Sequence, residues 1–413
     1  MKYGCIAAKL GHSFSREIHA ALADYEYELC EISSEELDGF MTRREFCAIN
    51  VTIPYKEAVI PYLDEIDEHA KTIGAVNTIV NRDGRLYGYN TDFFGMCSLL
   101  DYAGISLHGR KVLILGTGGT SKTAWAVAEA LGAKEVYKVS RTAKDGAITY
   151  EDAYALHGDA EIILNTTPVG MYPNIYASPI DIDRFPALCG VADAIYNPLR
   201  SELIQRAEAK EIPAVGGLYM LVAQAALACE KFIGGKISRE TIEQVYRQIH
   251  RSKENIVLTG MPGCGKTTTG RELAQKLGWK FIDTDDAILA RIGMSIPEYF
   301  AAHGEAAFRQ VEAQVIAEEI APLTSAVIAT GGGAILRAEN VVNLKRNGCI
   351  FFLDRPLEQI RPTVSRPLSM DRQALEKRYQ ERYPIYSSTC DVHIHTSHIR
   401  RENVNTILEK VKP

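Results

Sequence analysis

Short apolar runs alternate with helix-period stretches along the chain. Apolar residues crowd positions 3–7, a helical spacing follows over 15–23, and another run occupies 47–53. At 111–115 the sequence KVLIL reads as a strand buried on both faces. The turn Gly116-Thr117-Gly118-Gly119 follows, then a helix-compatible stretch that Gly132 stops, then a strand over 135–139. This is one βαβ unit, whose right-handed crossover predicts a parallel sheet, and runs at 161–165 and 191–194 extend it. An Ala-rich helix is predicted over 219–232. Residues 237–254 turn strongly charged and read as a connector, with a domain boundary near 252. A new strand at Asn255 leads into a second glycine-rich turn and a second helix. The expected fold class is α/β throughout.

Composition narrows the partners. The 413 residues suit two to three domains. A net charge of −6 offers no attraction to phosphate polymers or anionic lipid, so neither nucleic acid nor a membrane is an expected partner. No apolar run reaches the length of a membrane span and no signal peptide is recognisable, so the expected location is cytoplasmic. Nine cysteines without regular spacing indicate neither a disulfide framework nor a zinc knuckle, and most read as small buried side chains. A homo-oligomer is compatible with the sequence but not indicated by it.

The chemistry is most explicit at Gly260-Met261-Pro262-Gly263-Cys264-Gly265-Lys266-Thr267, which fits G-x-x-x-x-G-K-[ST] between an apolar strand and a helix. Glycines there let backbone N–H groups turn inward around a phosphate at a helix N-terminus, with Lys266 reaching the β- and γ-phosphates and Thr267 binding Mg²⁺. Residues 281–285 (FIDTD) read as a strand that sends Asp283 and Asp285 to one side, beside this loop. One carboxylate then serves Mg²⁺ and the other a hydroxyl proton. Separated arginines near such a site suit a small carboxylate substrate. His393 and His395 alternate on a late strand and read as strand residues rather than metal ligands.

In order and spacing, the phosphate loop, Asp283-Thr284-Asp285, the Gly304–Arg309 motif GEAAFR, Gly331-Gly332-Gly333, Arg366-Pro367-Leu368 and Arg382-Tyr383-Pro384-Ile385-Tyr386 resemble shikimate kinase. The resemblance implies a P-loop, nucleoside-monophosphate-kinase-like α/β domain over 253–413 with a central parallel sheet. It implies that Asp285, Arg309, Gly332 and Arg382 contact shikimate, with Asp285 catalytic. Gly263, Cys264, Gly265, Lys266, Thr267 and Thr268 would hold ATP, and Asp283 would join Thr267 at Mg²⁺. Arg361 would lie against the adenine and Arg366 would come from a lid to the phosphates. The stretch from Arg361 to Arg366 is shorter than the family's usual lid.

In the first part, Gly116-x-Gly118-Gly119 after a buried strand is a dinucleotide-type turn, although Ser121 replaces the third glycine of G-x-G-x-x-G. Arg141, with Lys144 nearby, stands past the next strand where an acidic residue would select NAD(H), which favours NADP(H). Polar groups end several apolar runs: Gly11-His12-Ser13-Phe14-Ser15, Asn50-Val51-Thr52 to Lys56, Gly74-Ala75-Val76-Asn77-Thr78 and Gly88-Tyr89-Asn90-Thr91-Asp92. Lys56 and Asp92 are the ionisable pair among them and so the candidates for proton transfer.

These segments, with Asn165-Thr166-Thr167-Pro168, Tyr196-Asn197-Pro198 and the glycine, methionine and glutamine of 217–224, resemble shikimate dehydrogenase. The resemblance implies a substrate lobe over 1–100, completed by about 217–250, and a Rossmann-like NADP-binding lobe over 101–216. It implies that Ser13, Ser15, Asn50, Thr52, Asn77 and Gln224 bind substrate, with Lys56 and Asp92 catalytic. Gly116, Thr117, Gly118, Gly119, Thr120, Arg141, Thr166, Gly217 and Met220 would hold NADP(H), with Tyr196 near nicotinamide and substrate. Together the two resemblances imply a bifunctional enzyme that reduces 3-dehydroshikimate and phosphorylates the shikimate formed. Quinate for the first half, and gluconate or a nucleotide for the second, are the competing substrates.

Overall fold

The computed structural model describes residues 1–10, 13–144, 146–360, 372–397 and 399–411. The chain divides into two units, Met1–Ile249 and His250–Pro413.

The first unit holds two six-stranded sheets. One is mixed, in the order Glu28–Glu31, Tyr3–Ala7, Ala48–Val51, Thr78–Arg82, Arg85–Tyr89, Glu65–Ile66. Its hairpin turns at Asp83-Gly84, both at positive φ (52° and 84°), the backbone a tight hairpin needs. The other is parallel in every pairing, in the order Ala214–Val215, Gly190–Asp193, Ile162–Asn165, Lys111–Leu115, Glu135–Ser140, Ile148–Thr149. Its central strand explains KVLIL: Val112 and Ile114 pack into the core shared with the helix Leu218–Ile233, while Leu113 and Leu115 pack into the core on the opposite face.

Residues 237–254 are not a mere connector. The helix Arg239–Lys253 buries Ile242, Val245 and Ile249, a stripe at helical spacing, in the core of the first unit. Only this narrow face is apolar, so its density of charge conceals the stripe in the sequence.

The second unit is built on a five-stranded parallel sheet ordered Lys280–Asp283, Ala326–Ala329, Asn255–Thr259, Gly348–Asp354, Val392–His395. Parallel strands end on one edge, which gathers there the segments after Thr259, Asp283, Ala329, Asp354 and His395. The helices Lys266–Leu277 and Arg400–Val411 cover one face of the sheet.

The strand reaches only Asp283, which caps the helix Thr284–Ile292 by accepting the backbone N–H of Asp285. Capping a helix at the strand's end satisfies an orphan donor, so Asp283 and Asp285 are neighbours across a helix start rather than on one strand face. Of nine free cysteines only Cys5, Cys229, Cys264 and Cys349 are buried, and Cys189 is exposed. No helix among the described residues is long and apolar enough to cross a membrane.

Candidate active sites

In the first unit Lys56 Nζ donates to Asp92 Oδ2 at 2.6 Å, with both side chains largely buried. Asp92 opens the helix Asp92–Tyr102, where the N-terminal dipole favours its negative charge. Around this pair a polar network joins five segments. Asn77 Nδ2 donates to Thr91 Oγ1 (3.0 Å) and Gln224 Oε1 (3.4 Å), Asn50 Nδ2 donates to Thr78 Oγ1 (3.0 Å), and Tyr27 donates its hydroxyl to Asn50 Oδ1 (2.7 Å). Ser13 and Ser15 pair with each other at 3.0 Å on either side of Phe14, whose ring lies 5.1 Å from that of Tyr196. Burial pushes the Tyr196 phenol up to about 12, so it stays protonated as a donor. Thr52 is half-buried at the end of Ala48–Val51.

The dinucleotide turn reaches this site. A β-carbon on Gly119 would lie 3.6 Å from Lys56 Cδ, so the start of the helix Gly119–Ala130 abuts the lysine stem. Gly116 has φ +109°, and a β-carbon there would come within 2.9 Å of Thr166 Oγ1. Ser121, in the third-glycine position, is buried and donates its hydroxyl to the Gly116 carbonyl at 2.7 Å, tying the turn to its helix. Thr117 and Gly118 are exposed, Gly119 and Thr120 partly so, and Arg141 and Lys144 are exposed past the end of Glu135–Ser140. Met220 is buried, and Gly217 is pressed against the Ala194 backbone. Behind the turn, Asp193 is buried and accepts from Asn165 Nδ2, Ser201 Oγ and the Ile195 N–H, and burial raises its carboxyl to about 6.

In the second unit the phosphate loop carries Gly260, Gly263 and Gly265 at positive φ (140°, 83° and 102°), a backbone open to glycine alone at little cost. Lys266 is buried with Nζ donating to the carbonyls of Gly260 and Met261, so its charge lies inside the loop. Cys264 is buried beneath it and Thr268 closes on the Gly265 carbonyl. Thr267 Oγ1 and Asp283 Oδ2 meet at 2.8 Å, a hydroxyl and a carboxylate that fit one octahedral cation.

Each glycine of Gly331-Gly332-Gly333 makes room for a different neighbour. A β-carbon would lie 2.8 Å from Asp285 Oδ1 at Gly331, 3.0 Å from the Pro262 ring at Gly332, and on the Arg309 guanidinium at Gly333. The Gly331 N–H donates to the buried Thr284 hydroxyl, and the Gly332 carbonyl accepts from Arg382 NH1 (2.9 Å) and from the Tyr386 hydroxyl. Arg309 pairs with Glu305 and, at 2.7 Å, with the buried Glu312. Burial raises the Glu312 carboxyl and Arg309 opposes this. Two carboxylates, Asp285 and Glu312, and two guanidiniums thus surround a glycine-lined recess beside the phosphate loop.

A family model for the shikimate dehydrogenase substrate-binding domain matches residues 5–79, and one for shikimate kinase matches 262–412. A shikimate dehydrogenase (NADP(+)) of Clostridium perfringens is 34% identical over 264 residues, covering 60% of this chain and 97% of that protein. The chain belongs to the shikimate dehydrogenase family. Its second unit is a shikimate kinase domain, so the chain is a bifunctional fusion of two enzymes. The solved structure of shikimate dehydrogenase 1 from Peptoclostridium difficile has 38% identity and a TM-score of 0.56, covering 60% of this chain and 98% of that one. That of the Thermus thermophilus shikimate 5-dehydrogenase in complex with NADP(H) and shikimate has 30% identity and a TM-score of 0.54, covering 60% and 99%.

The dehydrogenase unit brings together Lys56, Asp92, Asn50, Asn77 and Gln224, and seats Phe14, between Ser13 and Ser15, against Tyr196. Of the residues expected in the kinase domain, Arg361 and Arg366 lie outside the described residues. The sequence reading missed Tyr27, Thr78 and Thr91 in the amide network, Thr284 and Glu312 in the kinase recess, and Asp193 behind the turn. Thr78, Thr91 and Thr284 sit inside recognised motifs, and Glu312 stands three residues after Arg309 on one helix, which is a signal. Tyr27 and Asp193 carry none.

Proposed function

We propose that the first unit reduces the ketone of 3-dehydroshikimate with NADPH and the second phosphorylates the shikimate formed, using ATP and Mg²⁺. The Lys56–Asp92 pair carries this reading, since it is a buried proton donor with Gly119 of the dinucleotide turn against its stem. When bound, NADPH supplies a hydride to the carbonyl carbon and leaves as NADP⁺. Lys56 gives the carbonyl oxygen its proton as alkoxide charge develops, and Asp92 orients the ammonium. Ser13, Ser15, Asn50, Thr52, Asn77 and Gln224 bind the acid and its hydroxyls, with Tyr196 at the nicotinamide side. Gly116, Thr117, Gly118, Gly119 and Thr120 accept the pyrophosphate at the helix N-terminus, with Thr166, Gly217 and Met220 completing the cleft. Arg141 pairs with the 2′-phosphate.

In the second unit Asp285 takes the proton of the hydroxyl that attacks the γ-phosphorus, and ADP leaves. Arg309 and Arg382 hold the substrate carboxylate, and Gly332 lines its recess. Gly263, Cys264, Gly265, Lys266, Thr267 and Thr268 enclose the phosphates, and Thr267 with Asp283 positions Mg²⁺. A cytoplasmic location suits nine unpaired thiols. The test is one purified sample given 3-dehydroshikimate, NADPH and ATP. NADPH consumption followed by equal ADP release is expected, and ADP release absent or independent of the added substrate would overturn the reading.

A further inference from the structure

At the carboxyl edge of the kinase sheet, one carboxylate oxygen gathers an unusual set of neighbours. Asp354, the last residue of Gly348–Asp354, is buried, and its Oδ2 lies 2.9 Å from His393 Nε2 and 3.3 Å from His395 Nδ1. The two histidines alternate on Val392–His395, so both rings project from one face, with centroids 4.4 Å apart. The three ligand atoms lie within 4.8 Å of one another. We propose that Asp354, His393 and His395 form a binding site for a borderline divalent metal ion of the Zn²⁺ class, distinct from the Mg²⁺ used at Thr267 and Asp283.

Geometry, ligand chemistry and support point the same way. Metal–ligand bonds of about 2.0–2.1 Å place neighbouring ligands of a tetrahedral ion roughly 3.3 Å apart, close to the two carboxylate–imidazole separations already present. Two imidazoles and a carboxylate select Zn²⁺-class ions over Mg²⁺, which prefers oxygen and near-octahedral geometry. The ligands are held by their surroundings, as metal sites require. Tyr383 donates its hydroxyl to Asp354 Oδ2 at 3.1 Å, and the His393 ring packs 4.8 Å from that of Phe352. Both the N–H and the hydroxyl of Thr396 bond the Asp354 carbonyl, locking the two strand ends together. A cavity of about 580 Å³, lined by Asp354, Glu376, Tyr379, His395 and Thr396 among others, borders two of the three proposed ligands.

Calorimetric titration of the full chain with Zn²⁺, in excess Mg²⁺ and with exposed thiols blocked, tests the proposal. One equivalent is expected to bind and to raise the melting temperature of the kinase unit. His395→Ala, at a side chain 81% exposed, should retain ATP-dependent phosphorylation and weaken Zn²⁺ binding by about 100-fold. His393→Ala should weaken it as much. A wild-type protein with no stoichiometric Zn²⁺ binding, or variants that bind it unchanged, would overturn the site and leave the cluster a hydrogen-bonded strand clamp.

Discussion

Gly333 and Arg309 occupy complementary space: the guanidinium lies where a β-carbon at Gly333 would be. The Gly333 backbone (φ −108°) suits any residue, and the three atoms nearest a methyl group there all belong to the Arg309 guanidinium. Gly333→Ala should therefore fold, displace the guanidinium, and lower kinase kcat/KM by about 10- to 100-fold, chiefly through a raised KM for shikimate. NADPH oxidation should not change. Steady-state kinetics of both activities on one preparation checks this, and an unaltered KM would remove Arg309 from the carboxylate site.

Lys56 and Lys266 should separate the two activities. Lys56→Ala removes the proton donor beside Asp92 and should lower reduction by about 10²- to 10⁴-fold, with phosphorylation intact. Lys266→Ala should do the reverse, stopping ATP-dependent phosphorylation and sparing NADPH oxidation. Loss of both activities in either variant, with folding preserved by circular dichroism, would contradict independent sites.

Asp193 predicts a pH dependence of stability. Burial raises its carboxyl from 3.8 to about 6, so between these values the folded chain keeps a proton that the unfolded chain has released. Its contribution is fully present below about pH 4 and is lost as pH rises through 6. About two pKa units correspond to roughly 3 kcal/mol. Asp193→Asn should flatten that part of the profile, because the amide oxygen still accepts from Asn165 and Ile195 while Ser201 can accept from the amide nitrogen. Urea unfolding between pH 4 and 7, followed by Trp125 fluorescence in a Trp279→Phe background, measures it.

Gly95 decides how closely two site-bearing helices approach. A β-carbon there would lie 2.7 Å from the Met220 carbonyl oxygen and 2.9 Å from Gln224 Cβ. Backbone rather than a flexible side chain stands in the way, so Gly95→Ala should destabilise the dehydrogenase unit by about 1–3 kcal/mol. It should also raise the KM for 3-dehydroshikimate by moving Asp92 relative to Gln224. Denaturation and kinetics on the same variant test both effects.

Local chemistry was legible without coordinates. The phosphate loop needs glycines, a lysine and a threonine at fixed offsets between a strand and a helix, and backbone geometry alone imposes that spacing. KVLIL and the runs around it likewise specified parallel strands, because burial on both faces leaves no polar position. At Asp283 the pattern is ambiguous in sequence, because period-2 alternation and a helix cap both place two acids two residues apart. The charged stretch before Asn255 hid a buried stripe of Ile242, Val245 and Ile249, since a narrow apolar face is diluted by its polar surroundings. What only the tertiary structure decided were meetings between distant segments: Tyr27 with Asn50, Glu312 with Arg309 beside Gly331, and Asp354 with His393 and His395. Sequence spacing reports which residues share a face of one element, but close approach between elements depends on volumes packed against each other, and those exist only once the chain has folded.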